Sequence, residues 1–377
     1  MQSRPLIFVP GTRTSRLAIR KTNGSVEHFW PLLPHEFLVR EKLDGVFHLL
    51  ETKIRRNVDE DDIPVVATGL IPFAYGGLIK SILAWGYKPN LDFWIFPYDW
   101  RQSNRVSGQL LARFIEEKTG NSTDGVDIVS HSMGGIITRS AHKYGAPIRR
   151  AIYIGCPHLG SPLAYFILHP EIDSRRFIGS AYDSYPLAPT LAGHSSNNES
   201  KKSLNERRKE LFAKFPSMYE LLPDHTYLSK MPVLSADGKP AFGVEETYLT
   251  NDWAFKQKDM RTAINDASAF KAEIGDELSG DDVLLVCGTN QITFDSIKFR
   301  TAYHVPMTNR PTYVMQRGFS LPYDSGLGGD GYVPTISAMG TVSETSAFKN
   351  TVFIPEAHTA LPNANATAEV ISRFLSA

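Results

Sequence analysis

The sequence predicts an α/β fold: a mostly parallel central sheet flanked by helices, with an inserted cap or lid. Three observations predict it. Strand-length apolar runs alternate with helix-length amphipathic segments, and strands spaced in that way need crossover connections, which pair them in parallel. A serine stands at a strand-to-helix corner in the run Val126-Asp127-Ile128-Val129-Ser130-His131-Ser132-Met133-Gly134-Gly135. The alternation then breaks between Ser161 and about Ser279 and resumes at Asp282.

The elements follow in order. Pro5-Leu6-Ile7-Phe8-Val9-Pro10-Gly11-Thr12 is an apolar strand closed by Pro-Gly. A short insertion, at about residues 20–60, contains His28-Phe29-Trp30-Pro31-Leu32-Leu33-Pro34. Ile63-Pro64-Val65-Val66-Ala67 reads as a strand, and Gly76 to Trp85 as a helix with Leu78, Ile79, Ile82 and Leu83 on one face. Asp92-Phe93-Trp94-Ile95-Phe96 is the next strand. The helix after it carries Val106, Leu110, Leu111, Phe114 and Ile115 at spacings of three and four and stops at Gly120. The strand leading into Ser132, the helix through Lys143 and the strand Ala151 to Gly155 continue the pattern. Val283 to Val286, the last strand at Thr351-Val352-Phe353-Ile354-Pro355, and a closing helix with Val370, Ile371, Phe374 and Leu375 complete it. This is the α/β-hydrolase layout. Residues 1–162 and 280–377 are expected to form the core and 163–279 the cap, because a structureless loop of that length is improbable in a compact domain.

Composition excludes several function classes. Equal totals of 40 basic and 40 acidic residues give no net field to steer nucleic acid, so no nucleic-acid partner is expected. No apolar run approaches the roughly 20 residues of a membrane-spanning helix. The first strand begins within a few residues of Met1, which leaves no room for a signal peptide. The expected location is therefore cytoplasmic or peripheral to a membrane, with the mature form of an exported protein as the alternative. The histidines show no metal-holding spacing and no glycine-rich phosphate loop appears, so neither metal nor cofactor is expected. Cys156 and Cys287 each end an apolar run. Those strands can lie side by side, so a bridge is conceivable, but two small core residues is the simpler reading. Composition leaves the oligomeric state open.

The chemistry centres on Ser132. At such a corner the backbone is strained and the hydroxyl projects above the sheet, and Ser130 and Gly134 are small because bulk would collide there. A serine hydroxyl needs a histidine to accept its proton and a carboxylate to orient that histidine, and after this elbow the chain order is serine, acid, histidine. Asp330 lies in the glycine-rich run Gly328-Gly329-Asp330-Gly331-Tyr332-Val333-Pro334, and His358 lies between the last strand and the last helix. An oxyanion hole would take the amide of Met133 and one from the loop after the first strand, with Thr12 the candidate and neighbouring amides as alternatives. His131 should point away from the Ser132 hydroxyl and support the site without acting as its base.

Five segments, in order, then resemble the lecithin:cholesterol acyltransferase family, which includes lysosomal phospholipase A/transacylase and phospholipid:diacylglycerol acyltransferases. They are Phe8-Val9-Pro10-Gly11, Phe96-Pro97-Tyr98-Asp99-Trp100-Arg101, Ser130 to Gly135, Pro216-Ser217-Met218-Tyr219-Glu220-Leu221-Leu222-Pro223 and Gly329-Asp330-Gly331-Tyr332-Val333-Pro334, followed by His358. The stretch Pro157-His158-Leu159-Gly160-Ser161-Pro162 is common to this group and to lipases generally. The family usually has threonine where Tyr332 stands, which leaves the shape of the acyl pocket open. The resemblance implies a serine hydrolase of lipid acyl esters. The alternatives are acyl transfer through the same acyl-enzyme and hydrolysis of a non-lipid ester. Hydrolysis is preferred for a chain with no visible acceptor signature. Tyr332 and Trp100 are candidate substrate contacts. For Trp100 the other reading is packing, with Asp99 and Arg101 as a charge pair that shapes the loop. Phe29, Trp30, Leu32 and Leu33 read either as a membrane-contacting surface, which the family places in its early insertion, or as satellite core under the cap, the preferred reading. The charged stretch at Arg207, Arg208 and Lys209 reads as a solvated face.

Overall fold

Six strands form one parallel sheet, in the order β11 (Thr351–Ile354), β10 (Val283–Gly288), β7 (Ile148–Ile154), β6 (Val126–His131), β1 (Leu6–Val9) and β5 (Phe93–Ile95). In the computed structural model the described residues are 4–31, 40–71, 73–120, 124–168, 204–231, 233–234, 240–241, 244, 258–275, 282–291, 293–294, 328–341 and 350–377. Every residue of β1 and β6 is buried, as continuous apolar runs in a sheet covered on both faces should be. This is the α/β-hydrolase fold.

Alternation along β1 builds the two layers. Leu6 and Phe8 face a core with Val129, Ile154, Leu78 and Ile82 of helix α2 (Gly76–Ala84), and Ile371 of the C-terminal helix Asn365–Ser376. Ile7 and Val9 face the opposite core with Ile128, with Leu111 and Ile115 of α3 (Asn104–Thr119), and with Met133 and Ile137 of α4 (Met133–Lys143). One charged pair sits inside the sheet. Asp127 is fully buried and accepts from Arg150 of the neighbouring strand at 3.0 and 2.7 Å, a bidentate pair that leaves neither charge bare. Burial pushes the Cys156 thiol up to about 12 and raises that of Cys287, and the structure leaves both as free, buried thiols.

The segment before α2 departs from the sequence reading. The expected strand at Ile63 to Ala67 lies at β4 (Val65–Leu70), and it is not in the parallel sheet. It pairs antiparallel with β2 (Ser15–Arg20), which also pairs with β3 (Val26–Trp30), forming a separate three-stranded sheet. Alternation in one segment reveals a strand but not its partner, and the polar and charged residues in β2 and β3 hid them. Helix α1 (Arg40–Leu50) follows this hairpin.

Between β7 and β10 the described chain forms helices at Pro162–Leu168, Leu204–Phe212, Pro216–Tyr219, His225–Lys230 and Lys258–Ile274, with a small hairpin, β8 (Val233–Leu234) and β9 (Pro240–Ala241). The last of these helices docks on the core through Glu273, which accepts from Arg105 at 3.0 Å and from the Tyr144 hydroxyl at 2.6 Å. Arg207 pairs with Asp44 of α1 at 2.6 Å and lies over the Phe47 ring at 4.8 Å, and Lys209 is buried. Arg207 therefore ties the early insertion to the later helices and Lys209 is turned inward, so the solvated face read from the sequence is corrected at both residues. The Arg208 side chain lies outside the described residues. Among the described residues no helix is long and apolar enough to cross a membrane.

Candidate active site

The sheet itself brings the first parts of the site together. Val9 of β1 lies opposite Ser130 of β6, so the loop after β1 and the corner after β6 leave the same edge side by side. Ser132 occupies that corner at φ 54° and ψ −130°, a conformation that costs a non-glycine residue of order 1–3 kcal/mol. Gly134 allows it, since a Cβ there would stand 2.4 Å from the Val9 carbonyl oxygen. The Ser130 hydroxyl turns back into the sheet and donates to the Ile152 carbonyl at 3.1 Å.

The three residues expected to act together meet. The Ser132 hydroxyl lies 2.9 Å from His358 Nε2, and His358 Nδ1 lies 2.7 Å from Asp330 Oδ2. The other oxygen, Asp330 Oδ1, accepts the backbone N–H groups of Tyr332 at 3.0 Å and Val333 at 2.7 Å, which fixes the carboxylate in its loop. The His358 N–H donates to the Asp330 carbonyl at 2.8 Å, so backbone as well as side chain ties base to acid. All three side chains are buried. In this order the carboxylate holds the Nδ1–H tautomer, which leaves Nε2 with a lone pair facing the hydroxyl.

A cavity of about 80 Å³ opens above Ser132. Leu163, Ala164, Ile167, Phe212, Met218 and Leu221 line it together with Thr12, Ser132, Tyr332 and His358. The first six belong to segments between β7 and β10 and supply apolar lining close to the reactive groups. The Tyr332 ring stacks on the His358 imidazole, with centroids 5.0 Å apart and planes 17° apart, and so both borders the cavity and covers one face of the base. Thr12 stands on the cavity wall, and a Cβ on the preceding Gly11 would come 3.0 Å from Ser132 Cβ, which measures how closely that loop approaches the nucleophile position. Met133 opens α4, where a first-turn N–H has no intrahelical acceptor.

Comparison with known proteins places this geometry. The model of the lecithin:cholesterol acyltransferase (LCAT) family matches residues 66–170, which include Tyr98 to Arg101, the Ser132 corner and Pro157 to Pro162. Residues 66–170 thus resemble the LCAT family, within a chain that has the α/β-hydrolase fold. The chain is similar to lecithin-cholesterol acyltransferase-like 4 of Arabidopsis thaliana, 25% identical over 186 residues that cover 42% of this chain and 35% of that protein. An uncharacterized protein of Saccharomyces cerevisiae is 36% identical over 98 residues, 23% of this chain and 14% of that one. The chain thus spans about a third or less of the lengths of these curated relatives. Among solved structures, that of a Tle4-Tli4 complex aligns with a TM-score of 0.52 at 15% identity, covering 100% of this chain and 99% of that one, a likeness of fold alone.

The Tyr98 to Arg101 run carried by the LCAT-like match has a structural place. Trp100 is fully buried and does not line the cavity. Its ring packs 5.2 Å from Trp30 and 5.8 Å from Phe215, joining the β3 hairpin to the segments above the sheet. The substrate contact expected of Trp100 is therefore replaced by packing, because neighbours from both insertions enclose the indole. Phe29 and Trp30 are buried in the same cluster, and Leu32 and Leu33 lie outside the described residues. Arg101 is fully buried, binds Asp99 at 2.9 and 2.6 Å, and donates to the Leu50 carbonyl at 3.0 Å, which caps the end of α1.

The supporting role expected of His131 takes a specific form here, and Glu220 escaped the sequence reading. His131 donates from Nε2 to the His358 carbonyl at 3.1 Å and receives the Tyr75 hydroxyl at Nδ1, 2.9 Å away. Burial, then the nearby His358, hold its pKa well below the usual imidazole value, so the ring is neutral. Glu220, in the Pro216 to Pro223 segment, reaches the N-terminus of α3, where it accepts the Ser103 hydroxyl and, at 2.7 Å, the Asn104 N–H. Burial raises its carboxyl pKa to about 7 against these hydrogen bonds.

Proposed function

We propose that this chain is a serine hydrolase of lipid acyl esters. The observation that carries the reading is the Ser132–His358–Asp330 chain at the floor of an apolar cavity. In the reaction the Ser132 oxygen attacks the ester carbonyl carbon while its proton passes to His358 Nε2. Asp330 keeps Nδ1 protonated and balances the imidazolium. The N–H groups of Thr12 and Met133 receive the carbonyl oxygen as it becomes negative. When the tetrahedral centre collapses, the leaving alkoxide takes the proton from Nε2 and the acyl group stays on Ser132. Water, deprotonated by His358, then releases the fatty acid.

The six apolar side chains over Ser132 suit an acyl chain, which gains about 0.8 kcal/mol per buried methylene. Tyr332 narrows that space next to the base and is proposed as a substrate contact. Residues 163–279 act as the cap on the core formed by 1–162 and 280–377. The substrate reaches the site from a membrane surface, against which the chain works as a peripheral protein.

Acyl transfer is the second reading, favoured by the family that residues 66–170 match and by the name of the similar Arabidopsis thaliana protein. An alcohol would then replace water at the acyl-enzyme. The test is mass spectrometry of products from phospholipid and neutral-lipid esters, with and without a long-chain alcohol. Free fatty acid as the main product in both mixtures is expected. A fatty ester as the main product with alcohol present would move the assignment to transfer, and turnover of short soluble esters alone would overturn the lipid reading.

A further inference from the structure

The oxyanion loop and the base come from strands that never touch. Thr12 follows β1, His358 follows β11, and β10, β7 and β6 lie between them. Sheet pairing alone therefore leaves the relative placement of the two loops loose, yet ester attack needs them registered to within a fraction of an ångström. A buried chain of hydrogen bonds spans the gap. The Gly11 N–H lies 2.8 Å from the Tyr75 hydroxyl oxygen, that oxygen 2.9 Å from His131 Nδ1, and His131 Nε2 3.1 Å from the His358 carbonyl oxygen.

Only one direction of donation satisfies every member. The carbonyl of His358 can only accept, so His131 carries its hydrogen on Nε2. A neutral ring with that tautomer offers a lone pair at Nδ1, so the Tyr75 hydroxyl donates there. The Tyr75 oxygen then accepts from Gly11, the residue before Thr12. Both nitrogens of His131 are committed, which removes it from any role as base. The Tyr75 ring is itself held edge-on against Phe8 of β1 with centroids 4.7 Å apart, and the Thr14 hydroxyl donates to the Gly11 carbonyl at 2.5 Å. The His131 and His358 rings touch with centroids 4.7 Å apart. Tyr75 and His131 are both buried, so water does not compete for these bonds.

We propose that Tyr75 and His131 are positioning residues, a hydrogen-bonded strut that sets the oxyanion-hole loop against the catalytic base. The inference rests on the serine-hydrolase reading above. It adds that two side chains outside the triad govern how fast Ser132 is acylated.

Tyr75→Phe keeps the ring against Phe8 and removes only the hydroxyl. With p-nitrophenyl octanoate, kcat should fall about 10- to 100-fold while KM changes little. The rate of labelling by a fluorophosphonate should fall in step, with rates referred to active sites counted by burst titration so that misfolded protein does not contribute. If Tyr75→Phe accumulates poorly, a second pair answers the question. His131→Gln restores a donor near the His358 carbonyl and should retain more kcat than His131→Leu. Ser132→Ala separates the two levels of the argument. If it abolishes labelling while Tyr75→Phe, or both His131 variants, match the wild-type rate per site, the strut is overturned and the serine-hydrolase reading stands. If Ser132→Ala labels fully, the reading beneath it fails and the strut falls with it.

Discussion

Glu220 should make the docking of its segment on the start of α3 weaken as pH rises. Its carboxyl moves from the ordinary 4.5 to about 7 on folding because burial disfavours the charge more than Ser103 and the start of α3 favour it. The folded state therefore binds the proton more tightly than the unfolded chain does. Stability from this group is fully present below the unfolded value and falls as pH rises towards 7, after which it is level. The interval of about 2.5 units is worth about 3 kcal/mol at 1.36 kcal/mol per unit. Glu220→Gln cannot titrate, so the difference between wild type and variant isolates the effect. Urea midpoints followed by tryptophan fluorescence from about pH 5 to about pH 8.5 should show the wild-type advantage shrinking by a few kcal/mol. A wild-type advantage that stays constant, or grows, across that range would refute the reasoning.

Other variants test separate parts of the site. Asp330→Asn should lower kcat by about 10⁴-fold with little change in KM, because an amide at that position selects the wrong imidazole tautomer, and steady-state kinetics of p-nitrophenyl ester hydrolysis will show it. Trp100→Ala should lower stability by about 3–5 kcal/mol in urea titration while leaving the preference among acyl chain lengths unchanged, as befits a packed indole with no place in the cavity wall. Arg101→Met should cost about 3–5 kcal/mol by stranding the Asp99 charge, and adding Asp99→Leu should recover part of the loss in a double-mutant cycle.

What the sequence made legible is what it encodes locally. The Ser132 corner is a strand, a turn and a helix in under twenty residues (Val126 to Lys143), so apolar alternation, small flanking residues and helical spacing all point to the same place. The parallel sheet follows from the spacing of its strands. The hairpin partners of β4 were not, because β2 and β3 bury only part of each face and carry little periodic signal. Tyr75 was beyond reach for another reason. It lies 56 residues from His131 and 64 from Gly11, in a helix-entry segment whose local pattern says nothing of either. Trp100 was misassigned because the end of a strand beside the corner puts it near the site in sequence terms, whereas Trp30 and Phe215, from two separate insertions, enclose it. Glu220 likewise reads as an ordinary acid until the N-terminus of α3 is placed beneath it.

The account stands on Ser132 being an activated nucleophile, and a fluorophosphonate probe followed by peptide mass spectrometry asks that directly. A single adduct on the peptide holding Ser132, absent from Ser132→Ala and strongly slowed in His358→Ala, is the predicted result. Adduct on another residue, or undiminished labelling of Ser132→Ala, would contradict it.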